Sequence, residues 1–158
     1  MEKQKVYIET SVISYLTSKP SRDLIIAGHQ KLTLDWWKKS KIKFDCYISQ
    51  FVLDEIAKGD RIASSERLSI TKNIPLLEYT EEIDKLAIQY VKLLNIPEKS
   101  RTDAFHLAIA VWFEIDYLLS WNCKHIANAV VNYKLREYNK TNSLFVPILC
   151  TPTELLEV

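Results

Sequence analysis

The stretch KVYIETSVISYL, residues 5–16, places a carboxylate at the junction of two predicted elements. Residues 6–8 form a short apolar run that predicts a buried strand, and the apolar spacing over residues 10–17 predicts a helix. Glu9 stands between them, where the strand ends. Because parallel α/β sheets bind ligands beyond the carboxyl ends of their strands, Glu9 is a candidate functional residue.

The same alternation of strand and helix continues along the chain. Pro147 lies inside the last apolar run, which predicts an edge position for that strand. Short apolar strands separated by helices predict an α/β fold, a three-layer α/β/α sandwich with a mainly parallel central sheet. The predicted strands cover residues 5–9, 46–49, 74–80, 117–120 and 145–150, and the predicted helices cover 10–17, 22–41, 50–60, 61–71, 81–94, 103–113 and 123–138.

Composition restricts the function. The 158 residues are most simply one domain spanning 1–158, and a net charge of +1 gives no overall basic field to hold a polyanion. Only Gly28 and Gly59 occur, which excludes glycine-rich phosphate loops. Three scattered cysteines argue against a disulfide framework. With no apolar leader or membrane-length segment, we expect a cytoplasmic protein without membrane contact.

Polar residues follow several predicted strands. Glu9 follows the first strand, Glu55 lies on the helix after the second, Asp103 opens a late helix and Asn122 follows the fourth strand. Each has an ordinary structural explanation: a solvated strand end, a polar helix face, a helix N-terminal acid and a turn residue. A parallel sheet would bring all four to one edge.

Four motifs carry these residues: YIETSVIS, ISQFVLDEI, TDAFHLAIA and DYLLSWNCKH. In this order they resemble the PIN-domain nucleases, including the VapC-like toxins of bacterial toxin–antitoxin systems. That family has an acid and Thr-Ser after the first strand, a Glu on an early helix and Asp-Ala opening an apolar helix. Its last strand ends in Ser or Thr, two residues before Asp or Asn. Two positions depart from the usual pattern: Glu9 replaces an Asp, and Asn122 is not a carboxylate.

The resemblance implies a PIN-like fold and an endoribonuclease dependent on Mg²⁺ or Mn²⁺, acting as the toxin of a toxin–antitoxin pair. Glu9, Glu55, Asp103 and Asn122 would be its catalytic residues and metal ligands, with the three acids in one pocket and Asn122 at the rim. A hard cation accepts carboxylate and phosphate oxygens and activates water. RNA is the implied substrate, and a small antitoxin protein is the implied partner.

Other residues flank these positions. Thr10 and Ser11 would support the site beside Glu9, whereas Arg101 and Lys124 would hold phosphate or remain solvated charges. All four are candidates for substrate binding.

Two histidines and a pair of tryptophans have open interpretations. His106 would face the site or be a satisfied core histidine, and Cys123 with His125 lacks the second cluster of soft ligands that a transition-metal site needs. Trp36 and Trp37, in a basic segment, fit a nucleic-acid surface, the core or a partner interface. We predict a homodimer through an apolar helical surface that includes Trp36 or Trp37.

Two alternatives remain for the function. The first is a catalytically weakened PIN-like module that binds RNA or serves as a scaffold, which the departures at Glu9 and Asn122 favour. The second is another α/β enzyme that uses the same acids for phosphatase-type chemistry. Metal-dependent RNA cleavage would exclude the first, and activity on a small phosphomonoester without activity on RNA would indicate the second.

Overall fold

The computed structural model describes residues 1–156 and contains a five-stranded sheet in which all neighbouring strands are parallel. The strand order is β3-β2-β1-β4-β5, so β1 lies at the centre. The three-layer α/β/α class predicted from the sequence is confirmed. The strands are β1 (Lys5–Ile8), β2 (Asp45–Ser49), β3 (Leu76–Leu77), β4 (Tyr117–Leu119) and β5 (Ile148–Cys150).

Polar side chains cap several of the helices and so set where they begin. The Asp23 carboxylate accepts hydrogen bonds from the first N–H groups of the second helix, and Asn128 does the same for the last. The α-helices are α1 (Thr10–Thr17), α2 (Leu24–Asp35), α3 (Gln50–Ile56), α4 (Arg61–Thr71), α5 (Glu81–Leu94), α6 (Arg101–Trp112) and α7 (Ala129–Thr141).

Several element boundaries differ from the prediction. The helix predicted over 50–60 ends at Ile56, and the strand predicted over 145–150 begins at Ile148. The helix predicted over 22–41 ends as an α-helix at Asp35 and continues as a π-helical turn, Trp36–Ser40. Residues 123–128 form turns before α7 rather than helix, because Asn128 caps the helix at that point. The third strand is only two residues long, Leu76–Leu77.

The core is built on β1 and α6. Val6, Tyr7 and Ile8 of the central strand are fully buried, and α6 is buried around almost its whole circumference. A helix that is apolar on all sides is expected inside a protein rather than on its surface. Because Asp103 and His106 lie on α6, this burial fixes their positions relative to the strands.

Trp36 belongs to this core. Its side chain is fully buried and packs against Phe44, so of its three interpretations the core is confirmed, and only Trp37 remains a candidate for the predicted dimer interface. Trp37 is half-buried, and Lys41 lies over its ring with Nζ 4.9 Å from the ring centroid. The basic segment therefore contributes one tryptophan to the core and leaves only the other near the surface.

The edge strand β5 is closed by a side chain from α7. The Leu149 N–H donates to Asn132 Oδ1 at 3.1 Å, and Asn132 Nδ2 donates to the Leu149 carbonyl at 3.0 Å. The edge position predicted from Pro147 is confirmed, and Pro147 itself lies directly before the strand. The outward backbone groups of Leu149 are thus paired without a sixth strand.

The three cysteines are free thiols, as expected from their spacing. Burial raises the pKa of Cys46 to about 11 and that of Cys150 to about 12, so these thiols stay protonated. Among residues 1–156, no helix has both the length and the apolar character that crossing a bilayer requires.

Candidate active site at the carboxyl ends of the strands

The structure brings the three predicted acids to the same edge of the sheet. Glu9 follows β1, Glu55 lies on α3 after β2, and Asp103 lies in the first turn of α6. The buried imidazole of His106 is within electrostatic reach of all three carboxylates. We call these three acids and His106 the pocket cluster.

Glu9 is a buried carboxylate and not a solvated strand end. Its side chain caps α1, where Oε2 accepts a hydrogen bond from the Ser11 N–H at 2.7 Å. Oε1 accepts from the Ser120 hydroxyl at 2.9 Å, which links the ends of β1 and β4. Burial raises the pKa of Glu9 above its ordinary value, although the charge of His106 and the bonds from Ser11 and Ser120 oppose the shift.

Glu55 is held by two donors on one oxygen. Its Oε1 lies 2.7 Å from His106 Nε2 and accepts from the Thr10 hydroxyl at 2.9 Å. Partial burial raises the pKa of Glu55, but the hydrogen bond and charge of His106 outweigh it and leave the pKa lowered. Burial lowers the pKa of His106, and the bond to Glu55 outweighs this and raises it. The two shifts agree and describe one ion pair.

Asp103 has a histidine partner of its own. Its Oδ2 lies 2.8 Å from His125 Nδ1, and both side chains are mostly buried. Ser100, three residues earlier, makes no side-chain capping bond to α6. The spacing Ser100-x-x-Asp103 resembles a capping box in the sequence, but no such box is formed. The Asp103 carboxylate is directed instead to the loop after β4.

Asn122 shapes that loop. Its amide oxygen accepts hydrogen bonds from the backbone N–H groups of Lys124 at 3.3 Å and His125 at 3.0 Å. The structure thus places Asn122 in the turn that carries His125 to Asp103. Asn122 is therefore linked to the pocket cluster through His125, which binds Asp103.

The flanking candidates divide into two kinds. Thr10 and Ser11 are engaged within the site, since Thr10 binds Glu55 and the Ser11 hydroxyl accepts from the Trp121 N–H at 2.8 Å. Arg101 and Lys124 lie beside the acids in sequence. Arg101 pairs with exposed Glu98 at 3.3 Å, and Lys124 is exposed.

Sequence reasoning left His106 open and gave no role to His125 and Ser120. The available signal was spacing: His106 lies three residues after Asp103, and His125 lies three residues after Asn122. Spacing of this kind identifies a shared helix face or turn, but it does not identify which carboxylate each imidazole meets.

The donor chemistry of the pocket cluster fits Mg²⁺ or Mn²⁺, since both prefer carboxylate oxygens. Among residues 1–156, Glu55 Oε2 and Asp103 Oδ1 accept no hydrogen bond. As they stand, however, two of the acids face histidines. Over the same residues, no group of three or more His, Cys, Asp or Glu side chains is arranged to hold a metal ion.

Comparison with solved structures identifies the fold. The chain is similar to the crystal structure of VapC20 from Mycobacterium tuberculosis, described as a sarcin-ricin loop cleaving toxin, with a TM-score of 0.60 and 14% sequence identity. The match covers 75% of this chain and 91% of that one. No family model and no curated protein matches the sequence. The chain therefore has a VapC-like PIN-domain fold, and the predicted resemblance is confirmed at the level of the fold.

Proposed function

We propose that this protein is an endoribonuclease that hydrolyses RNA phosphodiester bonds with Mg²⁺ or Mn²⁺. The observation that carries the proposal is the pocket cluster, three carboxylates around one buried histidine at the carboxyl edge of a parallel sheet. Buried carboxylates with shifted pKa values are typical of functional sites. The similar fold of VapC20, a sarcin-ricin loop cleaving toxin, supports RNA as the proposed substrate.

In this proposal Glu9, Glu55 and Asp103 hold the cation, with Asn122 as a fourth position at the rim. A bound divalent cation supplies a positive centre for the phosphate oxygens and lowers the pKa of a coordinated water. The chain itself keeps the carboxylates in place: Ser11 and Ser120 hold Glu9, and the two histidines hold the other two acids. Arg101 and Lys124 are proposed to contact the RNA backbone.

We also infer the role of a toxin in a type II toxin–antitoxin pair, with a small antitoxin protein as partner. The likeness to VapC20, a toxin, supports this role. A cytoplasmic homodimer remains part of the proposal, with Trp37 as the remaining tryptophan for its interface. Leu24 and Ile25 at the start of α2 offer further exposed apolar surface.

The direct test is cleavage of single-stranded and hairpin RNA by the purified protein with Mn²⁺, with Mg²⁺ and with a chelator. Cleavage that requires the cation is expected. Glu55→Gln, purified in the same way, serves as the control for contaminating nucleases and should be inactive. Equal cleavage by the wild type and Glu55→Gln, or no cleavage by either, would contradict the proposal.

One observation favours a second candidate, a PIN-like module that binds RNA without cutting it. Two of the acids are hydrogen-bonded to histidines, and the His106–Glu55 ion pair partly neutralises the pocket cluster without a metal. The same assay decides, because RNA binding without cleavage in any cation would indicate this module. Hydrolysis of a small phosphomonoester with no effect on RNA would indicate phosphatase-type chemistry instead.

A further inference from the structure

A buried chain of hydrogen bonds continues from the pocket cluster into the core. The second nitrogen of His106, Nδ1, lies 2.7 Å from the Tyr7 hydroxyl, and that hydroxyl lies 2.6 Å from the Ser49 hydroxyl. Tyr7 and Ser49 are fully buried, and His106 is 1% exposed. The chain Ser49–Tyr7–His106–Glu55, which we call the relay, joins the ends of β1 and β2 to helices α3 and α6.

Ser49 indicates that the relay is more than incidental packing. It occupies the N-cap of α3, where a serine hydroxyl ordinarily accepts a hydrogen bond from the first free N–H groups of the helix. The Ser49 side chain makes no capping bond and turns to Tyr7 instead. Helix α3, which carries Glu55, therefore begins without a side-chain N-cap. The Ser49 hydroxyl that could have capped it is instead the last member of the relay.

The donors and acceptors of the relay require His106 to donate a hydrogen bond to Glu55. An ionised carboxylate only accepts, so His106 Nε2 carries the proton of that bond. With a neutral imidazole, Tyr7 donates to Nδ1 and accepts from Ser49; with an imidazolium, both of these bonds reverse. Burial raises the pKa of Tyr7 well above its ordinary value, so its hydroxyl proton is retained in either case. Nε2–H faces Glu55 in both.

Glu55 depends on this support because its side chain is 32% exposed and otherwise free to change rotamer. Thr10 and His106 both bind Oε1, which leaves Oε2 without a hydrogen bond among residues 1–156. The two donors therefore determine which carboxylate oxygen is available at the pocket.

We propose that His106 is a positioning residue for Glu55, and that Tyr7 and Ser49 hold its imidazole in the orientation that presents Nε2–H to the carboxylate. The proposal rests on the proposed function, in which Glu55 acts on RNA through a divalent cation. It gives the buried residues His106, Tyr7 and Ser49 a role that requires no contact with substrate or metal. Their loss should lower kcat and leave KM nearly unchanged, because RNA contacts are intact.

Tyr7→Phe tests the relay with the smallest change, since only the buried hydroxyl is lost. Loss of a hydrogen-bond partner that orients a ligating residue typically lowers activity or metal affinity about 10- to 100-fold. We therefore expect kcat to fall about tenfold, with KM within about twofold of the wild type. Tyr90→Phe is the matched control. Tyr90 is also fully buried, and its hydroxyl bonds to Asn139 at 2.7 Å between α5 and α7. Its kcat should equal that of the wild type.

Two further measurements do not depend on RNA cleavage. The ¹⁵N resonance of His106 Nδ1 should shift in Tyr7→Phe and stay in place in Tyr90→Phe. Mn²⁺ binding by calorimetry should weaken in His106→Ala and recover in part in His106→Gln, whose amide can still donate to Glu55.

The outcomes separate the relay from the proposed function. If the wild type cleaves RNA and Tyr7→Phe has the same kcat as Tyr90→Phe, the positioning role is overturned. A His106 resonance insensitive to Tyr7→Phe, or a His106→Gln variant no better than His106→Ala, would also overturn it. A wild type that neither cleaves RNA nor binds Mn²⁺ would overturn the proposed function, and the nitrogen resonance would still show whether Tyr7 holds His106.

Discussion

Two regions of the molecule bury polar side chains in different ways. Between α5 and α7, the Tyr90 hydroxyl donates to Asn139 Oδ1, and Asn139 Nδ2 donates to the Phe145 carbonyl at 2.7 Å. This Tyr90–Asn139 pair is neutral and matches its donors with acceptors. The pocket cluster contains charged groups, and burial raises the pKa of one of its carboxylates, Glu9.

The neutral Tyr90–Asn139 pair stabilises the folded protein, whereas the buried carboxylate of Glu9 destabilises it. A neutral, paired hydrogen bond in the interior adds a little stability, typically about 1 kcal/mol. An ionised carboxylate that burial disfavours lowers the stability of the folded protein, and its retention calls for another explanation. Substitutions in the two regions should therefore have opposite signatures, and the following predictions test this.

The largest expected effect is on cleavage, at Glu9. Glu9→Gln preserves the size of the side chain and removes its charge, so metal binding and RNA cleavage should fall together, by on the order of a hundredfold. Glu9→Asp keeps the charge and should retain part of the activity. Mn²⁺-dependent cleavage by the three proteins, with folding checked by circular dichroism, measures this. A folded Glu9→Gln protein as active as the wild type would remove Glu9 from the site.

At the Tyr90–Asn139 pair, stability should change and activity should not. Asn139→Ala leaves the Tyr90 hydroxyl and the Phe145 carbonyl without partners, which should cost about 2–3 kcal/mol of unfolding free energy. For a chain of this size, each kcal/mol corresponds to roughly 2–4 °C in Tm. Urea denaturation measures the loss, and kcat below the Tm should match the wild type. A loss of kcat would show that the two regions are coupled.

The pH dependence of the unfolding free energy should show directly that burial destabilises the ionised Glu9 carboxylate. Because its pKa is raised in the folded state, the folded protein binds a proton more tightly than the unfolded chain. Stability should thus fall as pH rises from the unfolded value of 4.5 through the folded pKa. Relative to Glu9→Gln, which has no titrating group at position 9, the wild type should lose stability over this window.

Parallel urea titrations of the two proteins at a series of pH values isolate this contribution, because their other groups are shared. A constant difference between them across the window would mean that Glu9 is not destabilised by burial.

The smallest effect is expected at the rim of the pocket cluster. Lys124→Ala should raise KM about twofold to fivefold, leave kcat unchanged and reduce the salt dependence of RNA binding by about one phosphate contact. Lys72→Ala is the matched control, since Lys72 is an exposed lysine that precedes the amino end of β3. Fluorescence anisotropy with labelled RNA across salt concentrations measures the binding. Equal behaviour of the two variants would remove Lys124 from the RNA surface.

Much of the fold follows from local signals in the sequence. The parallel sheet, the edge position of β5 and the placement of the three acids at one edge of the sheet were all predictable, because short apolar strands alternate with helices and acids follow their ends. The two-residue strand β3 and the π-helical turn at Trp36–Ser40 were not, because packing overrides local preference there.

The carboxylate partners of the two histidines could not be predicted from the sequence, for a different reason. His106 meets Glu55 across 51 positions of sequence, and His125 meets Asp103 across 22. Residue type and spacing place an imidazole near an edge of the sheet. Which carboxylate it binds depends on side-chain positions to within about 1 Å, because hydrogen bonds form only over a narrow range of donor–acceptor distances. The role of Ser49 was likewise hidden, since a serine before a helix ordinarily predicts a cap.

The amide of Asn132 has a consequence for how this protein can associate with others. An open strand edge is where foreign chains join a sheet by β-augmentation and where aggregation begins. Asn132 presents an amide to Leu149 as the peptide group of a sixth strand would, so an incoming strand must first displace it. The opposite edge, β3, offers only Leu76–Leu77 as a template. Any recruited polypeptide should therefore recognise helical surfaces of this protein rather than extend its sheet.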